Sequence, residues 1–249
     1  MKELWYGFEK IDFDFEGFNA TLVFPKTADK DKNWSLKMEY KEAFPETEIE
    51  LLNRGFHVAF LQNDNRWATK FDCDKKARFA KFLNKEYGLN KKLVPIGFSC
   101  GGAHAINFAG FYPELVKCVY IDAPVLNYIS YPGKFNKGTG RLNDYNVEYV
   151  YENEFVKAYP GITRVKLFSF DNHPISKIPT LIEKNIPILL TYGDQDMSLD
   201  ANEHWKIMIE EYKDRPDLLQ VIVRVCQGHH PHGLLDKSYI VADFICEHI

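Results

Sequence analysis

The chain has 249 residues, enough to bury a full core as one α/β domain, and its 45% hydrophobic and 27% charged content is ordinary for a globular protein. Its 31 basic side chains face 35 acidic ones, net −4, with no long block of one sign, which excludes an electrostatic footprint for nucleic acid or an anionic membrane surface. No stretch approaches the roughly 18 apolar residues of a membrane span, the N-terminus carries no signal-like apolar run, and the five cysteines are odd in number and irregularly spaced, so a cytoplasmic protein with free thiols and a small-molecule partner is expected.

Residues 8–15 and 18–25 alternate apolar and polar side chains around Glu16-Gly17, which predicts an antiparallel hairpin. Trp34 to Tyr40 alternates again and predicts a strand. A helix is expected from about Pro45 to Asn53, with Gly55 placed to end it in a left-handed conformation. His57–Leu61 reads as a buried strand and 63–69 as the loop leaving it. Residues 74–87 predict a helix with Phe79, Phe82 and Leu83 on one face and lysines on the other. After the next strand and helix, described below, Val116–Ile121 is a strand ending at Asp122-Ala123-Pro124.

Between 125 and 180 the rhythm breaks into a stretch rich in Tyr, Asn, Gly and Pro, with a modest helical pattern near 147–158. At the carboxyl end of a strand, such a stretch predicts a cap inserted over a site, within a single domain spanning 1–249. The rhythm resumes with a strand at Ile186–Tyr192, the loop Gly193-Asp194-Gln195-Asp196 and a helix over 200–212. A last strand at Leu219–Val225, the loop Gln227–Gly233 and a helix over 237–248 close the chain. Strands alternating with helices argue for a mostly parallel sheet with helices on both faces.

The chemistry starts at Leu93–Gly102. A short apolar strand runs into Gly97-Phe98-Ser99-Cys100-Gly101, and a helix with Ala105, Ile106, Phe108 and Ala109 on its apolar face follows. GxSxG occurs by chance in many loops, but between a strand and a helix it reads as a nucleophile elbow. Ser99 then sits on a strained turn, Gly97 and Gly101 leave room where a Cβ would collide, and the helix N-terminus directs N–H groups at an oxyanion. The Cys100 side chain turns away from substrate, and its backbone N–H is the donor.

An elbow of this kind takes its partners downstream, acid first and histidine last. Asp194 and Asp196 leave the sheet at the edge where open α/β folds place their sites. Asp196 is favoured, because Asp194 occupies a turn-forming position. His229, His230 and His232 crowd the final loop, and His229, directly after Gly228, is the expected base. No metal is expected: adjacent histidines seldom converge on one ion, and Cys226 has no second cysteine beside it.

With GFSCGG, GDQD and GHHPHG in this order, the chain resembles the α/β-hydrolase superfamily over nearly its whole length. It looks most like a bacterial esterase-like branch, on the Trp34–Tyr40 segment, the Asp122–Val125 run and the Gly228–His232 loop. Where such relatives often carry Arg after the nucleophile this chain has Cys100, and it has no HGG run. The resemblance implies the α/β-hydrolase fold with a cap, no cofactor, and a serine esterase. In it His229 takes the Ser99 proton, Asp196 holds the imidazole tautomer, and Cys100 and a residue of Lys37–Glu39, centred on Met38, supply oxyanion N–H groups. Trp34, Glu39, Trp67 and Phe98 are candidate pocket residues, with Tyr128, Tyr131 and Trp205 further aromatic ones. A polar cap rich in Tyr and Asn points to a small or sugar-linked ester. The rival readings are a serine peptidase or amidase, a thioesterase using Arg66, Lys70 and Arg141 as a basic rim, and a non-catalytic binding protein on the same fold.

Overall fold

The computed structural model describes residues 3–134 and 144–249. In chain order the strands are β1 (Glu3–Trp5), β2 (Phe8–Phe15), β3 (Phe18–Val23), β4 (Trp34–Lys37), β5 (His57–Leu61), β6 (Val94–Phe98), β7 (Val119–Asp122), β8 (Ile188–Gly193) and β9 (Leu219–Arg224). The helices are α1 (Glu46–Asn53), α2 (Lys70–Tyr87), α3 (Cys100–Phe111), α4 (Asp144–Val150), α5 (Val156–Ala158), α6 (Ile178–Glu183), α7 (Trp205–Glu211) and α8 (Ser238–Glu247). A π turn, Tyr151–Phe155, joins α4 to α5.

The strands form one sheet in the order β1-β2-β3-β5-β4-β6-β7-β8-β9. Pairing is antiparallel from β1 to β5 and parallel from β5 through β4 to β9. The expected hairpin is β2–β3, and Glu16 (φ 54°) and Gly17 (φ 84°) make its two-residue turn, both left-handed as a primed turn demands. Sequence reasoning misses β1, a three-residue strand joined to β2 through a second left-handed pair, Tyr6 and Gly7.

The chain runs from β4 outward to β5, then crosses back over β4 to β6 and continues the other way. The carboxyl ends of β4 and β6 therefore flank a topological switch point, where the loops leaving adjacent strands diverge and open a crevice. Helices α1 and α8 pack together on one face of the sheet, and α2, α3 and α6 on the other. Each face closes over its own core. Leu51, Phe56, Val94, Ile96, Phe98, Val241 and Phe244 fill one, while Leu36, Phe79, Leu83, Ile106, Phe108 and Ile121 belong to the larger one opposite.

Helix α2 begins four residues before its expected start, because the Thr69 hydroxyl caps it by accepting the Asp72 N–H at 3.3 Å. Its lysines also correct the sequence reading, since Lys75 and Lys76 are fully buried. Lys75 Nζ donates to the Gln62 carbonyl at 2.8 Å and pairs with Asp72 at 3.0 Å, while Lys76 Nζ donates to Asn63 Oδ1. They work as buried struts under the loop leaving β5. No helix among the described residues is long and apolar enough to cross a membrane.

Candidate active site

At the end of β6 the chain turns through Ser99 at φ 51°, ψ −117°, a backbone that a residue with a Cβ rarely adopts. Several contacts fix the turn. The Ser99 N–H donates to the Asp122 carbonyl, and the Ser99 carbonyl accepts the N–H groups of Gly102 and Val125, each at 3.0 Å. The flanking glycines are sterically required. A Cβ on Gly97 would lie 2.1 Å from the Gly101 carbonyl oxygen, and one on Gly102 would lie 2.4 Å from Pro124 Cβ.

The loops leaving β8 and β9 approach so closely that a Cβ on Gly193 would lie 2.2 Å from the Gln227 carbonyl oxygen. Gln195 N–H donates to that same carbonyl at 2.9 Å. This contact carries Asp196 to His229. Asp196 Oδ2 lies 2.6 Å from His229 Nδ1, and His229 Nε2 lies 3.1 Å from Ser99 Oγ. The Asp196 Oδ1 atom accepts the backbone N–H groups of Ser198 at 2.7 Å and Leu199 at 3.0 Å. Burial pushes this carboxyl upward, but the bond and charge of His229 together with the two N–H groups outweigh it and hold the group below its usual range. A carboxylate fixed in this way requires the proton on Nδ1, which leaves Nε2 free to accept from the Ser99 hydroxyl. Asp194, the other candidate acid, is exposed.

Cys100, the first residue of α3, offers a backbone N–H that is unbonded among the described residues. Its thiol packs inward beside the Tyr40 hydroxyl and the Arg66 guanidinium, and burial pushes it up to about 11, far from a thiolate nucleophile at neutral pH. Burial pushes the thiols of Cys73 and Cys118 to about 12. Cys226 and Cys246 are exposed, and all five cysteines are free. In Ellman titration at pH 8, two thiols are expected to react rapidly in the native protein and all five after denaturation.

Met38 does not offer the second oxyanion donor that the sequence suggested. Its N–H is used by the Ile96 carbonyl at 2.8 Å, extending the β4–β6 ladder by one residue. The next N–H, that of Glu39, is unbonded among the described residues and lies 3.4 Å from where a Cβ on Gly101 would sit. Asn63 Nδ2 fixes this loop by donating to the Met38 carbonyl at 2.7 Å and to Glu39 Oε2 at 2.5 Å. Below the same loop, the buried Lys37 ammonium donates to the carbonyls of Ala43 at 2.5 Å and Phe44 at 3.2 Å and pairs with Glu48 at 3.3 Å.

Two of the expected pocket residues lie elsewhere. Trp34 opens β4, at the end of the sheet away from Ser99, and its indole N–H donates to the Asn90 carbonyl at 2.8 Å. Phe98 points to the α1–α8 face, packed between Tyr120 and the His232 ring. Glu39 is at the site. Trp67 is buried on the site's side, stacked under Arg66 and packed against Tyr128, Tyr131 and Phe155, and its carbonyl accepts the hydroxyls of Tyr128 at 2.8 Å and Tyr159 at 2.7 Å. The Trp205 indole donates to the Pro124 carbonyl at 3.1 Å. A cleft of about 800 Å³ opens on the far side of the Glu39 loop, lined by Asp12, Thr21, Lys41 and Gln62 among others, and it does not include Ser99 or His229.

The support beneath the histidine loop was missed in the sequence. Asp122, at the end of β7, accepts Arg224 Nη2 at 3.0 Å and the Gly233 N–H, while Arg224 Nη1 donates to the Pro231 carbonyl. Both side chains of this pair are buried. An aspartate that ends an apolar strand was the available signal, since a buried carboxylate needs a partner. His204 is also fully buried. Its Nδ1 accepts the N–H groups of Leu126 at 3.0 Å and Asn127 at 3.3 Å, and burial pushes its imidazole down to about 3, so it stays neutral while tethering the segment after β7.

No family model matches the chain, and no curated protein matches it by sequence. Solved structures do. The acylaminoacyl peptidase of Pyrococcus horikoshii superposes with a TM-score of 0.72 at 13% identity, over 97% of this chain and 42% of its own. This chain thus spans less than half of that peptidase. An esterase of Pyrococcus furiosus matches at TM-score 0.64 and 17% identity, over 97% of this chain and 91% of its own. Est1E of Butyrivibrio proteoclasticus matches at TM-score 0.66 and 14% identity, over 96% and 98%. The sheet order, the elbow after β6 and these superpositions together show that the chain has the α/β-hydrolase fold.

Proposed function

We propose that the chain is a serine hydrolase cleaving carboxylic esters with small acyl groups, and the hydrogen-bonded line Ser99–His229–Asp196 is the observation that carries this reading. Ser99 Oγ attacks the ester carbonyl while His229 Nε2 takes its proton. Asp196 holds Nδ1–H and stabilises the imidazolium that forms. The tetrahedral oxyanion is bound by the N–H of Cys100 and, in place of Met38, that of Glu39. His229 returns the proton to the leaving alcohol, and a water activated by the same imidazole releases the acyl group.

The described residues between β7 and β8 serve as the cap, while 135–143, also part of the expected insertion, lie outside the described residues. Tyr128, Phe155, Tyr159 and Phe170 pack against one another and, through Tyr128 and Phe155, against Trp67, filling space that a long acyl chain would need. The five unpaired cysteines suit a cytoplasmic location. The peptidase reading draws on the Pyrococcus horikoshii neighbour. The thioesterase rim finds less support, since Arg66 Nε is paired with Glu154 at 2.6 Å, Lys70 is paired with Asp74, and Arg141 lies outside the described residues.

Hydrolysis of p-nitrophenyl acetate, butyrate and dodecanoate and of alanine p-nitroanilide tests the proposal. Acetate and butyrate should give kcat/KM values at least about tenfold above dodecanoate, in line with the loss when a chain outgrows its pocket. Faster turnover of the anilide would make the protein a peptidase.

A further inference from the structure

Adjacent histidines seldom converge on one ion, and with no second cysteine beside Cys226 the sequence argues against a metal. In the folded loop these histidines converge. The rings of His229, His230 and His232 pack edge to face in every pairing, with centroids 4.8, 4.8 and 4.7 Å apart. One potential ligand nitrogen from each lies within 4.8 Å of the other two. His232 is 2% exposed, yet neither of its ring nitrogens has a hydrogen-bond partner among the described residues, an unusual state for a buried imidazole. The His230 ring is exposed, lies over Phe44 at 6.1 Å, and its nitrogens hold no hydrogen bond among the described residues.

Two of the three rings have a carboxylate nearby, as metal-ligating histidines do. Such ligands usually place one ring nitrogen against a carboxylate, which fixes the tautomer and raises the basicity of the other nitrogen. Asp196 does this for His229 at 2.6 Å, and Asp122, itself paired with Arg224, lies 3.8 Å from His232 Nδ1. Tetrahedral zinc with bonds of about 2.0–2.1 Å needs its ligand nitrogens roughly 3.3–3.5 Å apart. The nitrogens lie within 4.8 Å of one another, so binding draws the rings together, and the exposed His230 ring is the one free to turn.

Resting on the assignment of His229 as the base, we propose that His229, His230 and His232 bind a zinc-like dication through neutral imidazole nitrogens, and that occupancy switches the hydrolase off. The ion would take His229 Nε2, the nitrogen that faces Ser99 Oγ at 3.1 Å. A nitrogen whose lone pair is donated to a metal cannot accept the serine proton. The site's fourth position stays open to water. Imidazole ligands without thiolates favour zinc, copper or nickel over magnesium or calcium.

The experiment titrates zinc chloride into the full-length protein by calorimetry and, in parallel, into p-nitrophenyl butyrate assays, with EDTA added at the end. Wild type should bind one zinc ion and lose activity over the same concentration range, recovering with EDTA. Magnesium should do neither. Ser99→Ala should bind zinc as wild type does, so binding is read even if the protein turns over no ester. His230→Ala should keep its metal-free activity while zinc binding and inhibition both weaken at least tenfold. Cys226→Ser, a control for the nearby exposed thiol, should bind and respond like wild type. The proposal is overturned if Ser99→Ala binds no zinc, if zinc binds without inhibiting an active wild type, if His230→Ala is inhibited as strongly as wild type, or if Cys226→Ser abolishes binding.

Discussion

Ser99→Ala is expected to lower kcat for p-nitrophenyl butyrate by about 10⁴–10⁶-fold and to abolish labelling by a fluorophosphonate probe, read as a single adduct by mass spectrometry. Cys100 is not expected to stand in for the proposed nucleophile Ser99. Cys100, its neighbour, has a buried thiol that stays protonated. His229→Ala should cost about as much, and the double variant little more than either, because the residues act as one unit. Asp196→Asn should cost about 10⁴-fold, since an amide donating toward Nδ1 would favour the wrong tautomer while leaving the geometry intact. Against this, His230→Ala should retain activity, which would separate the base from its neighbours. Full activity in Ser99→Ala would end the serine hydrolase reading.

Breaking the buried pair beneath the histidine loop is expected to have the largest effect on stability. Arg224→Met leaves the Asp122 carboxylate buried without its ion-pair partner, holding the Gly233 N–H with His232 Nδ1 3.8 Å away, and frees the Pro231 carbonyl, so urea denaturation should show a loss of about 3–5 kcal/mol. Asp122→Leu combined with Arg224→Met removes both charges and should recover most of that loss, because no uncompensated ion remains. Activity should not recover with it. Arg224 binds the loop at Pro231, Asp122 binds it at Gly233, and His229 lies just before both. Without them, displacement of the imidazole by about 1 Å is expected to reduce kcat about 10²-fold with little change in KM. A double variant with wild-type kcat would show that the pair serves stability alone.

Much of this architecture was legible in local pattern. The mostly parallel sheet with its antiparallel N-terminal hairpin follows from period-two strands, a Glu-Gly turn and apolar stripes at helical spacing. The elbow was legible because its glycines answer to neighbours only a few residues away: Gly97 faces the Gly101 carbonyl, within one strand–turn–helix. The errors lie where a side chain answers to something distant in the chain. Lys75 and Lys76 read as solvent-facing because charge on a helix usually is, but their partners, Gln62 and Asn63, are on the loop leaving β5. Trp34 and Phe98 read as pocket candidates on their aromatic character alone. Which end of a strand and which face of the sheet each occupies depends on register, and the alternation that sets it is short in four- and five-residue strands.

The sequence by itself determined that a serine would sit on a strained turn between a strand and a helix, and that an aspartate loop and a histidine loop would leave later strands of the same sheet. These are consequences of composition and spacing over fewer than about a dozen residues, where steric and hydrophobic periodicity dominate. The tertiary structure decided which carboxylate and which imidazole face Ser99, moved the free backbone N–H from Met38 to Glu39, and gathered three histidine rings into one cluster. The physical reason is that hydrogen bonds and ion pairs act over about 3 Å and carry no trace along the chain of the partner they will find. Asp122 and Arg224 are 102 residues apart, and only the sheet order places the end of β7 within reach of the end of β9.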